Sequence, residues 1–487
     1  MSLRLYNSAS RKKDIFKPIK DGEVGIYVCG VTVYDLCHIG HARSAIVFDV
    51  LVRYLRARGL KVTYVRNFTD VDDKIIERSK KLEEDTTTLA ERYIDAFYED
   101  MLALGVLDAD VEPRATEHIN DIIDMIQRLV EKGFAYVVDS TVYFSVEKFE
   151  SYGQLSGRQL EDMAAGSRIA VDEKKSHPMD FVLWKGAKPG EPKWKSPWGE
   201  GRPGWHIECS AMSCKYLGAN FDIHGGGRDL IFPHHENERA QAMAANGVNF
   251  ANYWIHNGFL TVEAEKMSKS LGNFVTIRDA LKLYQPQELR LFLLSKHYRS
   301  PLDFSRSALF ESRSGLIRIY RTLQRLEELI GPHKTNSKVI ITPFLSNSDV
   351  DNFKGHFISV MDDDLNTAAA LGLIFDKVRD INRLLDSSAQ RKDIKSQLIN
   401  ERSDLLDCSN VLGLFQEEPT KFFQEIIKTP SEINIEEIEK MIQERDEARK
   451  VKDWAKADAI REELSGRGII LEDGQKGTKW RFRVEGS

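Results

Sequence analysis

The stretch from Cys29 to Arg43 constrains the fold of this chain more than any other. An apolar run, Ile26-Tyr27-Val28, leads into Cys29 and reads as a strand. A polar turn at Tyr34-Asp35 follows, then His38-Ile39-Gly40-His41. Ala45, Ile46, Phe48, Leu51, Val52 and Leu55 then recur at the i, i+3, i+4 spacing of a helix with one apolar face. Strand, turn and helix in that order open a nucleotide-binding α/β domain, and the helix N-terminus favours a phosphate. A second strand at Lys61–Val65, a turn at Asn67–Asp70 and a charged helix from near Asp72 repeat the unit. Two such units predict a parallel sheet. Its ligands lie beyond the carboxyl ends of the strands, where Cys29 and Thr69 fall.

From residue 115 the text changes character. A helical run, Ile122 to Val130, precedes a hairpin around Asp139-Ser140 and a stretch rich in Lys, Pro and Trp, Lys185 to Pro203. This reads as an insertion, because ligand-type residues resume at Gly204. The segment Phe221 to Gly227 reads as a strand ending in three glycines, which let backbone approach a ligand closely. Pro233 suits a helix start, placing His234 and Glu238 on one helical face. Glu265 to Asn273 is a polar basic loop. Long amphipathic helices follow, with Ile317, Tyr320, Leu323 and Leu326 on one face, then a linker at Glu417–Asn434. A helix at Ile435–Leu464 and a Gly-rich basic tail close the chain.

The expected fold class is therefore α/β: a Rossmann-like parallel-sheet domain split by an insertion, followed by an α-helical bundle and a small C-terminal domain. The boundaries read 1–114 and 204–255 for the two halves of the sheet domain and 115–203 for the insertion. The basic-loop segment takes 256–305, the bundle 306–420 and the C-terminal unit 430–487.

The length of 487 residues and 42% hydrophobic content suit a multidomain globular protein with sizeable cores. No apolar run approaches the length of a membrane span, and the first residues lack the apolar core of a signal peptide. Five cysteines, with Cys29 and Cys37 far from Cys209, Cys214 and Cys408, argue against a disulfide framework and for a reducing cytoplasm. The net charge of −6 is mild and leaves room for a nucleic acid read by a local patch.

Three groups of residues could carry chemistry. Cys29, Cys209, His234 and Glu238 offer two thiolates, an imidazole and a carboxylate, a set that favours Zn²⁺ over Mg²⁺ or Ca²⁺. Each alone suits a packed cysteine or a helix-start histidine equally well. His38 and His41, flanking Gly40 at a helix start, could bond phosphate oxygens and stabilise charge on phosphorus, or could simply face solvent. Lys266 and Lys269 could neutralise a leaving pyrophosphate, or be an ordinary solvated basic loop. Together the last two groups fit attack of a carboxylate on the α-phosphate of ATP.

His38-Ile39-Gly40-His41 and Lys266-Met267-Ser268-Lys269-Ser270 resemble the two signature sequences of class I aminoacyl-tRNA synthetases. Gly201 to Ser210, Phe232 to Glu238 and Met361 to Thr367 resemble the cysteinyl-tRNA synthetase family specifically, and the similarity runs from about residue 4 to about 483. The resemblance implies ATP-dependent ligation of L-cysteine to tRNA(Cys) through a cysteinyl-adenylate, by a cytoplasmic monomer with no membrane partner. It implies one zinc ion per subunit on Cys29, Cys209, His234 and Glu238, taking the substrate thiolate, with Mg²⁺ accompanying ATP. Thiolate–zinc bonding separates cysteine from serine, which an apolar pocket would discriminate weakly. His38, Gly40, His41, Lys266 and Lys269 match ATP-binding positions; Thr69, Trp205, His224, Asp229 and His234 match the amino-acid pocket. Arg445, Arg449, Trp454, Asp458 and Asp473 resemble an anticodon-reading surface, where an Arg plane and an indole stack on bases. Without the resemblance, Arg445 and Arg449 are an ordinary solvated helix face. Val31 stands where many members have proline, and Cys37 reads as a packed small residue. The related cysteine ligase of mycothiol synthesis joins cysteine to an amino sugar and lacks a C-terminal unit like residues 435–483. Intact His38, His41, Lys266 and Lys269 speak against a non-catalytic tRNA-binding paralogue.

Overall fold

A computed structural model describes residues 3–159, 174–262, 265–266, 275–333, 343–345, 352–387, 394–428, 435–466, 469–474 and 477–482. An antiparallel pair, β1 (Arg4–Asn7) and β2 (Lys12–Ile15), precedes the first βα units. These run β3 (Glu23–Thr32), α1 (Ile39–Ala57), β4 (Lys61–Thr69), α2 (Asp73–Leu82) and α3 (Thr86–Ala103). The insertion carries α4 (Ile119–Glu131) and an antiparallel sheet of β5 (Ala135–Val138), β6 (Thr141–Phe144), β7 (Phe181–Gly186) and β8 (Gly201–Pro203). The parallel sheet resumes through α5 (Trp205–Leu217), β9 (Phe221–Gly227), α6 (His234–Asn246) and β10 (Ala251–Asn257).

The parallel sheet has the order β10-β9-β3-β4. The first unit moves from β3 to β4 on one side, and the chain then returns to place β9 on the other. The order of the strands thus reverses at β3 and β9, and ligands of such sheets bind in the crevice at that point. Cys29 and the α1 turn belong to one wall of it; Gly225 to Gly227 end the strand on the other. The expected turn at Asn67–Asp70 is corrected: β4 continues through Thr69, because Phe68 and Thr69 pair with Val31 and Thr32. Bridges from Val65 to Val111 and from Phe68 to Arg114 cover its outer edge.

Beyond the sheet come β11 (Leu260–Val262), β12 (Glu265–Lys266), α7 (Ile277–Leu283), α8 (Pro286–Leu294) and β13 (Leu302–Phe304). The bundle follows as α9 (Arg306–Ile330), α10 (Phe353–Asp362), α11 (Thr367–Asp386), α12 (Ile394–Val411) and α13 (Pro419–Lys428). Part of the expected linker is therefore helix. Phe422 of α13 stacks on Tyr320 at 3.8 Å, and burying such a ring repays the ordering of the segment. The C-terminal unit is α14 (Ile435–Lys450), α15 (Trp454–Gly466) and a hairpin of β14 (Ile469–Gly474) and β15 (Gly477–Phe482). Its single expected helix is broken at Lys452, whose φ of 62° no helix continues through.

One apolar core joins α1 to the bundle, and α1 also carries charge into it. Asp49, Arg53 and Arg290 are buried together: Arg53 Nε donates to Asp49 Oδ2 at 2.8 Å, and Arg290 pairs with the same oxygen. Arg290 Nε also donates to the Leu412 carbonyl at 2.7 Å, which fixes α8 to the loop after α12.

Candidate active site

The register of β3 against β4 shifts between Val28 and Val31, so Cys29 and Gly30 form a bulge opposite Asn67. A bulge re-aims the side chains that it carries. Asn67 Oδ1 accepts from Gly30 N at 2.9 Å and faces Cys209 Sγ at 3.6 Å, linking both strands to α5. Cys209 lies on α5, and His234 and Glu238 lie one turn apart at the start of α6. Donor atoms of Cys29, Cys209, His234 and Glu238 all fall within 4.8 Å of one another. Cys29 Sγ donates to Glu238 Oε1 at 3.1 Å, and His234 Nε2 meets the same oxygen at 2.9 Å.

The electrostatics are those of a ligand cluster. Burial opposes charge on Glu238, but His224 and His234 outweigh it and hold the carboxyl well below its ordinary value. Burial also opposes charge on Cys209, yet the bond from Cys29 and the nearby His234 bring its thiol down to about 6. His234 rises to about 10 against its own burial, through Glu238 and Cys209. Burial, then Cys209 and Glu238, push the Cys29 thiol up. The Tyr27 hydroxyl is buried beside both thiols, and burial, then Cys209 and Cys29, push it well above its ordinary value. Two sulfurs, one imidazole and one carboxylate converge, Cys29 half-buried and the other three buried; they fit a zinc-type ion and suit a hard oxygen-seeking cation poorly.

The expected amino-acid pocket lies around these donors. Trp205 opens α5, is 37% exposed, and stacks on His234 at 4.1 Å between ring centroids. His206 Nδ1 meets His234 Nδ1 at 2.8 Å. Thr69 is buried and its hydroxyl donates to Glu208 Oε2 at 2.9 Å, beside Cys209 in the chain. His224 is fully buried, with Nε2 on Glu238 Oε2 at 2.8 Å and its ring on Trp254. Asp229 is exposed in the helical turn after β9, and its carboxylate folds back over Gly227.

His38 caps α1: its Nδ1 accepts from Gly40 N at 3.0 Å, while His41 Nδ1 accepts from His38 N at 3.2 Å. The two rings stack at 3.8 Å. Burial, then His38, hold the His41 imidazole well below its ordinary value, so it is neutral. With Nδ1 accepting in each ring, the neutral tautomers carry hydrogen on Nε2, a donor suited to a phosphate oxygen. Lys266 belongs to the backbone of β12; its side chain and all of Lys269 lie outside the described residues. The segment after that loop is pinned to the α1 turn: Ile39 N donates to Val275 O at 3.1 Å and Ile277 N to Cys37 O at 2.9 Å.

Three functional positions escape sequence reasoning. Arg43 is buried and its guanidinium donates to the Gly258 carbonyl at 2.9 Å, joining α1 to the loop before β11. Its place four residues after Ile39, on the apolar face, was the available signal. Asn67 and Glu208 had none, since their roles depend on the bulge and on the packing of α5 against β4.

In the C-terminal unit Trp454 is 58% exposed and Asp458 is exposed. Arg449 is half-buried, and Arg445 is buried with a bond to Thr478 Oγ1 at 3.2 Å. Asp473 lies on β14.

The fold and the crevice are those of a class I synthetase. Residues 15–314 match the family model described as the tRNA synthetases class I (C) catalytic domain. Residues 356–416 match a DALR domain and 435–481 the cysteinyl-tRNA ligase anticodon binding domain. Among solved structures, a methionyl-tRNA synthetase of Mycobacterium tuberculosis with methionyl-adenylate shares the fold, with TM-score 0.56, 17% identity, 80% of this chain and 89% of that one. A putative arginyl-tRNA synthetase of Campylobacter jejuni gives TM-score 0.53 at 15% identity, over 82% of this chain and 95% of that one. Closer in sequence is the cysteine–tRNA ligase of Thermodesulfovibrio yellowstonii, 52% identical over 99% of this chain and 100% of its own. That of Trichlorobacter lovleyi is 53% identical over the same shares. The chain belongs to the cysteine–tRNA ligase family.

Proposed function

We propose that this enzyme joins L-cysteine to tRNA(Cys) at the expense of ATP, through a cysteinyl-adenylate. The cysteine carboxylate attacks the α-phosphorus of ATP and pyrophosphate leaves; the terminal ribose hydroxyl of the tRNA then attacks the carbonyl carbon and AMP leaves. The observation that carries this reading is the convergence of Cys29, Cys209, His234 and Glu238 at the end of the strand leading to His38 and His41.

A zinc ion held by those four residues would bind the substrate sulfur as a thiolate and so separate cysteine from serine. Trp205, stacked on His234, would wall the pocket, and Thr69, held by Glu208, would present oxygen lone pairs to the ammonium. Asp229 would add a carboxylate to the same end of the substrate. His38 and His41 would donate from Nε2 to ATP phosphate oxygens, at a helix start that favours negative charge. Gly40 keeps that helix start open to the phosphates, and Lys266 and Lys269 would neutralise the leaving pyrophosphate, with Mg²⁺ accompanying ATP. In the C-terminal unit, Trp454 and Arg449 would stack on anticodon bases, and Asp458 and Asp473 would accept from base amino groups. Arg445, bonded to Thr478, would brace that surface from behind. The domain boundaries given above, a monomeric state and action in the cytoplasm complete the reading.

Cysteine-dependent exchange between ATP and labelled pyrophosphate tests it. Exchange is expected in the wild type and absent in Cys209→Ala and in Lys269→Ala. Normal exchange in both variants would remove these site assignments.

A further inference from the structure

We propose that the metal pocket contains a second seat: Cys29 and Glu238 can close on a divalent ion with His224 and His235 instead of Cys209 and His234. The proposal rests on the metal reading above and adds His224 and His235, which the four-ligand set does not use. Ligand atoms of Cys29, His224, His235 and Glu238 also lie within 4.8 Å of one another. The two sets share Cys29 and Glu238, so the shared carboxylate faces both: Oε1 lies 2.9 Å from His234 Nε2, and Oε2 lies 2.8 Å from His224 Nε2.

The second set is built as a ligand site. His224 and His235 are both 0% exposed, and their rings meet at 4.6 Å. His235 Nε2 points toward Glu238 Oε1 at 4.0 Å and has no hydrogen-bond partner among the described residues; His224 Nδ1 has none among them either. A buried polar nitrogen left unpaired is costly, so its retention calls for an explanation. The other nitrogen of His235 is braced: Nδ1 meets His256 Nε2 at 2.8 Å, and His256 Nδ1 meets Ser8 Oγ at 2.7 Å. An outer hydrogen bond of this kind fixes the orientation of a metal-binding imidazole.

The seats differ in chemistry and in access. The first offers two sulfurs, one nitrogen and one oxygen, and it adjoins the partly exposed Trp205. The second offers one sulfur, two nitrogens and one oxygen, and His224 and His235 lie wholly inside the protein. The first selects Zn²⁺; the second suits nitrogen-seeking ions such as Ni²⁺ and Co²⁺. An ion in the second seat would lie between two fully buried imidazoles, away from the exposed Trp205 side by which an incoming thiolate reaches the first.

Cobalt, added alone to the metal-free full-length chain, tests this. The readouts are bound metal per chain, thiolate-to-cobalt absorption, and the sulfur and imidazole count from X-ray absorption. Wild type should show two sulfurs. Cys209→Ser should retain about one equivalent, with one sulfur and two imidazoles, and adding His235→Leu to it should weaken binding at least about tenfold. His235→Leu alone should leave the wild-type count of two sulfurs, with circular dichroism confirming that each variant folds. His234→Ala gives a second route: it should also bind through two imidazoles. Cys209→Ser and His234→Ala variants that bind no cobalt while folded, or that bind it regardless of His235, would overturn the second seat. A wild type that binds no metal would instead remove the metal reading itself.

Discussion

Gly30→Ala is the perturbation whose outcome the structure determines most sharply. A Cβ at Gly30 would lie 1.5 Å from the Asn67 carbonyl oxygen and 2.7 Å from its carbon. Both are backbone atoms of the neighbouring strand, so no rotamer change relieves the clash. The strands must part locally by about 2 Å to reach ordinary contact. Overpacking of this kind costs roughly 1–3 kcal/mol, and loss of the Gly30 N–H bond to Asn67 Oδ1 adds about 1 kcal/mol. The sum, about 2–4 kcal/mol, corresponds to a melting temperature lower by roughly 5–10 °C for a domain of this size. Displacing the bulge also moves Cys29 away from its partner donors, so zinc affinity should fall about 10–100-fold. Calorimetry with and without zinc, together with a competitive zinc titration, reads both effects. Gly372→Ala is the control: that position in α11 is exposed with nothing within 4 Å, and alanine should leave stability unchanged or raise it by up to about 1 kcal/mol. A Gly30→Ala protein that melts and binds zinc like the wild type would show that the bulge accepts a side chain without moving Cys29.

Two further outcomes follow from groups remote from the candidate metal site. Asp49→Asn leaves the buried Arg53 and Arg290 without their shared carboxylate, and unfolding in urea should show a loss of about 3–5 kcal/mol; a loss under about 1 kcal/mol would contradict the pairing. Glu288 is buried at the start of α8, and burial, only partly offset by Arg313, raises its carboxyl from 4.5 to about 7. A raised value contributes stability that is complete below pH 4.5 and lost as pH rises through 7, a decline of up to ~3 kcal/mol. Glu288→Gln should flatten that decline in urea midpoints measured between pH 4.5 and 7.5, and an unchanged slope would show that another group causes it.

Much of this arrangement was legible in the residues, because periodicity and turn chemistry are local. The β3–turn–α1 unit, the hairpin at Asp139-Ser140 and the pairing of His234 with Glu238 across one turn follow from spacing alone. What was not legible depends on neighbours remote in sequence. The turn expected at Asn67 became strand because β3 and residues 111–114 pair with it on both sides. Helix α13 forms where a linker was expected because Phe422 finds Tyr320, about a hundred residues earlier. His224 reads in sequence as one more pocket residue, yet it lies fully buried against Glu238 and Trp254, a place set by the packing of β9, α6 and β10. The bulge at Cys29-Gly30 was hidden for the same reason: it exists only relative to β4.

The most direct test of the account is cysteine-dependent ATP–pyrophosphate exchange, followed while zinc is removed by a chelator and then returned, with serine as the competing substrate. Exchange is expected with cysteine and little with serine; it should be lost when the metal is removed and recover on adding Zn²⁺. Exchange that persists in metal-free protein, or that proceeds equally with serine, would contradict this.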